Sequence, residues 1–209
     1  MRRLPGPLLA ITDHHACRYG LGVMVDALLD GGCRWIWFRD TDLASDERCR
    51  LGGDLLARVR PRGGRLTIGR DAALAAALGA DGVHLPGGTG PAEIEAARRI
   101  LPADALVGVS AHGPTDLSRA RDGGADYATL SPVFESVSKP GYGPALGAAG
   151  LVEACRLGIP IVALGGVTPA TAPLCRRAGA TAVAAMGGLM RAPDPAGTAR
   201  NLLAAWERI

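Results

Sequence analysis

Short runs of β-branched and aliphatic residues recur along the chain, separated by stretches rich in Ala, Leu and Arg that suit helices. This alternation builds βα units around a parallel sheet. Eight runs read as strands: Leu8 to Thr12, Trp35 to Arg39, Leu66 to Ile68, Gly82 to Leu85, Leu106 to Val109, Tyr127 to Leu130, Ile161 to Leu164 and Ala182 to Ala185. A weak internal repeat supports the count. Gly31-Gly32-Cys33, Gly79-Ala80-Asp81-Gly82, Gly123-Gly124-Ala125-Asp126 and Gly179-Ala180-Thr181 each read as the close of a helix before the next strand. Glycine there supplies the left-handed residue that ends a helix. Eight units in 209 residues lie near the lower size limit of a (β/α)8 barrel, whereas an open doubly wound sheet has about five or six strands. The expectation is a single α/β domain over residues 1–209, a (β/α)8 TIM barrel with no linker or low-complexity stretch.

In such barrels the working residues sit at the carboxyl ends of the strands and in the loops that follow. The strand assignment therefore selects Asp13 and His14, Arg39 and Asp40, Gly69 to Asp71, Pro86 to Thr89, Ser110 and His112, Ser131 to Gly143, Gly165-Gly166, and Met186 to Gly188.

Composition narrows the function. A 48% hydrophobic, 21% charged chain is globular rather than disordered. No apolar run approaches the ~20 residues of a membrane span. The amino-terminal segment lacks the apolar stretch of a signal peptide, so a cytoplasmic location is expected. The net charge of +3 comes from scattered arginines and aromatics make up only 4%, which gives no support to nucleic-acid binding. Cys17, Cys33, Cys49, Cys155 and Cys175 are odd in number and never spaced as Cys-x-x-Cys. They read as mostly buried small apolar residues, with no disulfide framework or zinc site. Of the 23 cationic residues, Lys139 is the only lysine.

Two motifs carry chemistry. Gly165-Gly166-Val167-Thr168 and Met186-Gly187-Gly188 follow the seventh and eighth strands and lead into helix starts. Glycine amides approach an oxyanion closely there, which predicts a phosphate site at Gly166, Gly187 and Gly188; the alternative is that the glycines merely end strands tightly. The loop Ser131 to Pro144 exceeds the usual ~2–6 residues of a βα connection and reads as an anion-binding flap carrying Ser136, Ser138 and Lys139.

These residues match a family. The chain resembles the thiamine-phosphate synthase and TenI superfamily in Ile11-Thr12-Asp13, Gly79 to Leu85, Gly108-Val109-Ser110-Ala111-His112, Gly124 to Tyr127, Ser136 to Gly143 and Ala163 to Val167. The resemblance implies a small barrel handling a thiazole phosphate in thiamine biosynthesis. Departures matter equally. Where the synthases carry Gln-x-Arg-x-Lys to grip a pyrimidine pyrophosphate, this chain has Trp37-Phe38-Arg39-Asp40-Thr41. Where they carry Asn-Asp-Arg, with its magnesium-binding Asp, Gly69-Arg70-Asp71 stands here; a one-residue shift realigns Arg70 but leaves Gly69 opposite the Asp. The second magnesium carboxylate has no counterpart in His84 to Thr89.

With both carboxylates gone, the leading expectation is a TenI-like thiazole tautomerase, an isomerase that moves a proton. His112 would be its acid/base, a task suited to histidine. Lys139 would act with it, Arg39 would pair with a substrate carboxylate, and Ser136 and Ser138 would close over the ligand. A divergent thiamine-phosphate synthase is the first alternative, favoured by the flap hydroxyls and lysine. A non-catalytic phosphate-ligand binder, with Trp37 and Phe38 filling the pocket, is the second. No metal or cofactor is expected, magnesium entering only with the synthase alternative, and Asp13 with Asp71 is its one candidate rearranged site. His84 reads as a packed residue with a satisfied ring, and His14 and His15 as an exposed loop pair of which His14 could reach the pocket. Expected partners are a phosphorylated thiazole and, as an open question, further copies of the chain, with neither nucleic acid nor membrane.

Overall fold

The structure is a computed structural model that describes residues 2–135 and 144–208. The expected flap residues Ser136, Ser138 and Lys139 lie outside the described residues. Eight parallel strands close into a barrel in chain order, the first pairing with the last through Leu9 and Ala184. Elements alternate as β1 (Leu8–Ile11), α1 (Leu21–Asp30), β2 (Trp35–Phe38), α2 (Ser45–Val59), β3 (Arg65–Gly69), α3 (Ala72–Leu78), β4 (Gly82–Leu85) and α4 (Pro91–Ile100). They continue with β5 (Leu106–Ala111), α5 (Pro114–Asp122), β6 (Tyr127–Leu130), α6 (Gly147–Cys155), β7 (Ile161–Leu164), α7 (Ala172–Arg177), β8 (Ala182–Ala185), the short α8 (Gly187–Met190) and α9 (Pro195–Glu207). Among the described residues no helix is long and apolar enough to cross a membrane.

The strands read as unbroken apolar runs because both faces are buried. Leu8, Ala10, Ile36 and Phe38 point outward into the layer shared with the helices, while Leu9, Ile11, Trp35 and Trp37 point into the lumen. Helix α1 supplies the complementary stripe, burying Leu21, Met24, Val25, Leu28 and Leu29 at the spacing that places residues on one helical face. Asp71 caps α3 by accepting from the Leu74 amide at 2.8 Å, and Asp194 caps α9 in the same way from Gly197 at 2.8 Å.

The lower lumen is filled by aromatic rings. Trp35 meets Tyr127 edge-on, with ring centroids 4.8 Å apart, and its indole N–H donates to Thr67 Oγ1 at 3.0 Å. This packing explains Gly108 on the neighbouring strand, since a Cβ there would lie 2.1 Å from the Tyr127 ring. Higher up, lumen residues turn polar, and they form the floor of the cavity described below.

Two expectations need correction. The cysteines are not mostly buried: Cys33 and Cys175 are, their thiols pushed up to about 11 by burial, whereas Cys17 and Cys155 are half-buried and Cys49 is exposed. The Gly165-Gly166 pair does not lead directly into a helix either. A turn over residues 167–171 intervenes, held by the Thr168 amide donating to Thr171 Oγ1 at 2.8 Å and by the Thr171 hydroxyl donating to the Gly166 carbonyl at 2.9 Å.

Candidate active site

A cavity of about 1140 Å³ opens at the carboxyl ends of the strands. Its floor is a stack of lumen side chains. The Trp37 indole lies on the His84 imidazole with centroids 3.8 Å apart, His84 Nδ1 is 3.0 Å from the Tyr127 hydroxyl, and its Nε2 is 3.1 Å from Ser110 Oγ and 3.2 Å from Thr129 Oγ1. Burial pushes the His84 pKa down to about 3, so the ring is neutral, with one nitrogen donating and the other accepting. The packed, satisfied histidine expected at this position is what is found.

The wall brings together Arg39, His112, Gly166, Gly187 and Gly188 from strand ends spaced around the whole barrel. Arg39 follows β2. Its backbone amide donates to Thr12 Oγ1 at 3.0 Å, and its buried Nε has no hydrogen-bond partner among the described residues. Gly188 carries open space where a Cβ would point, so an anion can approach its backbone. Gly166 has a second reason to be glycine. Its φ is +63°, and a Cβ would sit 2.5 Å from the Glu135 carbonyl, because the flap's base lies across it. That base is tied to β7 by the Val133 amide donating to Leu164 O at 2.9 Å and the Phe134 amide donating to Gly165 O at 3.1 Å. Here the tight-turn account of the glycine pair holds alongside an open path to the cavity.

His112 follows β5. Its Nδ1 is 2.8 Å from the Ser131 carbonyl, a pure acceptor, so Nδ1 carries a hydrogen and the ring orientation is fixed. The carboxylate of Asp116 accepts from the His112 amide at 2.9 Å and fixes the turn. Phe38 does not share the pocket with Trp37; it points outward among the helices.

Two arginines add to these, Arg70 from the span selected after the third strand and Arg191, which was not singled out from the sequence. Arg70 lines the cavity beside Arg39 and adopts φ +65°, a left-handed conformation costly for a side-chain-bearing residue and concentrated at functional sites. Neither Arg39 nor Arg70 has a carboxylate partner among the described residues. Arg191, just past α8, lines the cavity as well, as does Thr168 after β7. Positive charge thus stands on two stretches of the rim, one at the ends of β2 and β3 and one past β8, with β1 between them. Its place after the third strand and its realignment by a one-residue shift were the sequence signals for Arg70; Arg191 had none.

The family's magnesium does not fit the ends of β3 and β4. The Arg48 guanidinium donates to the Gly69 carbonyl there, and both Asp71 oxygens are engaged, one capping α3 and the other 3.2 Å from Arg48 Nη1. Neither Asp71 nor Asp13 lines the cavity, and Asp71 is already engaged by Arg48 and the α3 cap.

The family model described as Thiamine monophosphate synthase matches residues 8–189. The chain belongs to this family. Over 199 residues it is 36% identical to the thiamine-phosphate synthase of Roseiflexus sp. (strain RS-1), covering 94% of this chain and 84% of the relative. It is 40% identical over 187 residues to the thiamine-phosphate synthase of Marinobacter nauticus, covering 88% and 82%. Among solved structures, thiamine phosphate pyrophosphorylase from Pyrococcus furiosus superposes with a TM-score of 0.84 at 26% identity, covering 96% of this chain and 95% of the other. These relatives carry the name of the first alternative rather than of the tautomerase, and the family setting fits the expected thiamine biosynthesis.

Proposed function

We propose that this chain is a transferase of the thiamine-phosphate synthase type, joining a thiazole phosphate to a pyrimidine carried on pyrophosphate. The observation that carries the reading is that one cavity holds two separate groups of anion-binding residues, Arg39 with Arg70 after β2 and β3, and the glycine amides with Arg191 after β7 and β8. The tautomerase substrate would bring one carboxylate to the second group, whereas two guanidinium groups there, Arg39 and Arg70, suit the charge of a pyrophosphate better. The names borne by the family's members point the same way.

The thiazole phosphate sits on the amides of Gly166, Gly187 and Gly188 with Arg191 beside it, and the pyrophosphate sits on Arg39 and Arg70. The thiazole nitrogen attacks the methylene carbon of the pyrimidine. One C–N bond forms, the C–O bond to pyrophosphate breaks, and the electron pair leaves with the pyrophosphate. No proton need move. The barrier lies in the negative charge developing on the leaving group, which guanidinium groups already present on the cavity wall stabilise. Lys139 would add a further positive charge, and Ser136 and Ser138 hydroxyl donors.

One observation favours the tautomerase as a second reading. The Ser131 carbonyl fixes the His112 hydrogen on Nδ1, which suits Nε2 to take and return a proton. Calorimetric titration separates the readings. The transferase binds thiazole phosphate and the pyrimidine pyrophosphate together, each in the presence of saturating amounts of the other. Mutual exclusion of the two ligands contradicts it and leaves the single-substrate tautomerase.

A further inference from the structure

We infer that His14, His15 and Asp42 form a binding site for a divalent transition-metal ion of the zinc class at the β1–β2 rim of the cavity. The three side chains come from the loops after β1 and β2, and one ligand atom from each lies within 4.8 Å of the others. His15 Nε2 is 2.7 Å and His14 Nε2 3.8 Å from Asp42 Oδ2, and the two imidazole centroids are 3.8 Å apart. Ligand atoms around a tetrahedral zinc ion, each ~2.0–2.2 Å from the metal, stand about 3.4 Å apart. The present spacings bracket that value, and the exposed His15 and Asp42 side chains have room to adjust.

The support behind His14 points to a metal rather than to a surface ion pair. Its Nδ1 is 2.9 Å from Oδ1 of Asp40, a buried carboxylate that also accepts from the His14 amide at 2.6 Å and from the Thr12 hydroxyl. The carboxylate thus holds the Nδ1 hydrogen and fixes the ring so that the Nε2 lone pair is the one presented. This carboxylate–histidine arrangement behind a ligand orients metal-binding imidazoles and raises their basicity. A rim ion pair between His15 and Asp42 has no need of a buried aspartate behind a second histidine. Two imidazoles and one carboxylate select a borderline ion such as zinc or cobalt over magnesium, which prefers oxygen and water.

Asp42 belongs to the cavity wall while His14 and His15 lie outside it, so the ion would stand at the cavity's edge, on the side of the arginines assigned to the pyrophosphate. That role rests on the transferase reading; the site does not. It would restore on β1 and β2 a cation that the ends of β3 and β4 no longer hold.

The test uses untagged full-length protein, stripped with chelator and titrated with cobalt(II), whose visible absorption reports coordination. The site predicts one saturable cobalt per chain with a nitrogen–oxygen spectrum, displaced by zinc and not by magnesium. Binding should be lost in His14→Ala and Asp42→Asn, retained in His112→Ala, and weakened by about 10–100-fold in Asp40→Asn. Absence of saturable cobalt binding, or binding unchanged in His14→Ala and Asp42→Asn, overturns the site, and circular dichroism of each variant separates loss of metal from loss of fold. Cobalt binding without thiamine phosphate formation would uphold the site and remove the transferase reading. Full thiamine phosphate formation by the stripped protein in chelator would remove only the ion's role.

Discussion

A Cβ added to Gly69 would lie 3.0 Å from the indole nitrogen of Trp37. The two positions share one space in the cavity floor: the residue on β2 is large because the residue on β3 is absent. The family's pattern has Gln at the first position and Asn or Asp at the second, so the chain has exchanged two polar groups for one indole resting on His84.

Coupling between the two should be measurable. Gly69→Asn should destabilise by forcing the indole aside, and Trp37→Gln should cost up to about 3 kcal/mol by opening a cavity. The double variant should lose less than the sum, by about 0.5–3 kcal/mol. Urea unfolding of the four proteins gives the cycle, and strict additivity would show that the sites do not share space.

The buried His84 predicts a particular acid limb. Its folded pKa, about 3, lies below the ordinary 6.5, so the unfolded chain binds the proton first as pH falls. The stability it contributes is complete above pH 6.5 and declines toward pH 3, by about 1.4 kcal/mol per pH unit. Unfolding free energies of the unmodified protein and of His84→Gln, measured from pH 7 to pH 4, should diverge in slope by one proton. Parallel slopes would place a charged or solvated imidazole in the lumen.

Much of the fold was legible because strands buried on both faces announce themselves as apolar runs, and β4, β6, β7 and β8 fall where the runs lie. Strand β5 extends to Ala111, beyond the expected Val109, because Ser110 faces inward to His84 and breaks the apolar pattern from within the strand. Strand β3 also starts and ends one residue outside its run, at Arg65 and Gly69. The site was legible where chemistry coincides with strand ends, as at Arg39, His112 and Gly188. The His14–Asp40 contact spans 26 residues and exists only because β1 and β2 are neighbours, so no local pattern could disclose it. His14, expected in an exposed loop pair, is half-buried against that carboxylate. Gly166 was readable as glycine, but the flap base that crosses it was not.

The two anchor glycines should behave differently. Gly188→Asp places a carboxylate in open space beside the anion and should weaken thiazole phosphate binding by at least about tenfold with little change in thermal midpoint. Gly166→Ala meets the Glu135 carbonyl in a left-handed conformation and should lower stability by about 1–3 kcal/mol. Calorimetry and thermal melts on both proteins check this, and an unchanged affinity in Gly188→Asp would remove the anchor.

The arginines after β2 and β3 should fail separately. Arg39→Ala should weaken the pyrimidine pyrophosphate by about 1.5–3 kcal/mol, the range of a charge-assisted hydrogen bond, and leave thiazole phosphate affinity unchanged. Equal losses for both ligands would mean that the cavity holds one anion site and not two.

Turnover tests the central claim most directly. Purified protein incubated with thiazole phosphate and the pyrimidine pyrophosphate should release pyrophosphate and form thiamine phosphate in equal amounts, with both products reduced by Arg39→Ala and by Gly188→Asp. No thiamine phosphate from the two precursors, together with conversion of the carboxylated thiazole phosphate to its aromatic isomer by a process lost in His112→Ala, would contradict the transferase and establish proton transfer in its place.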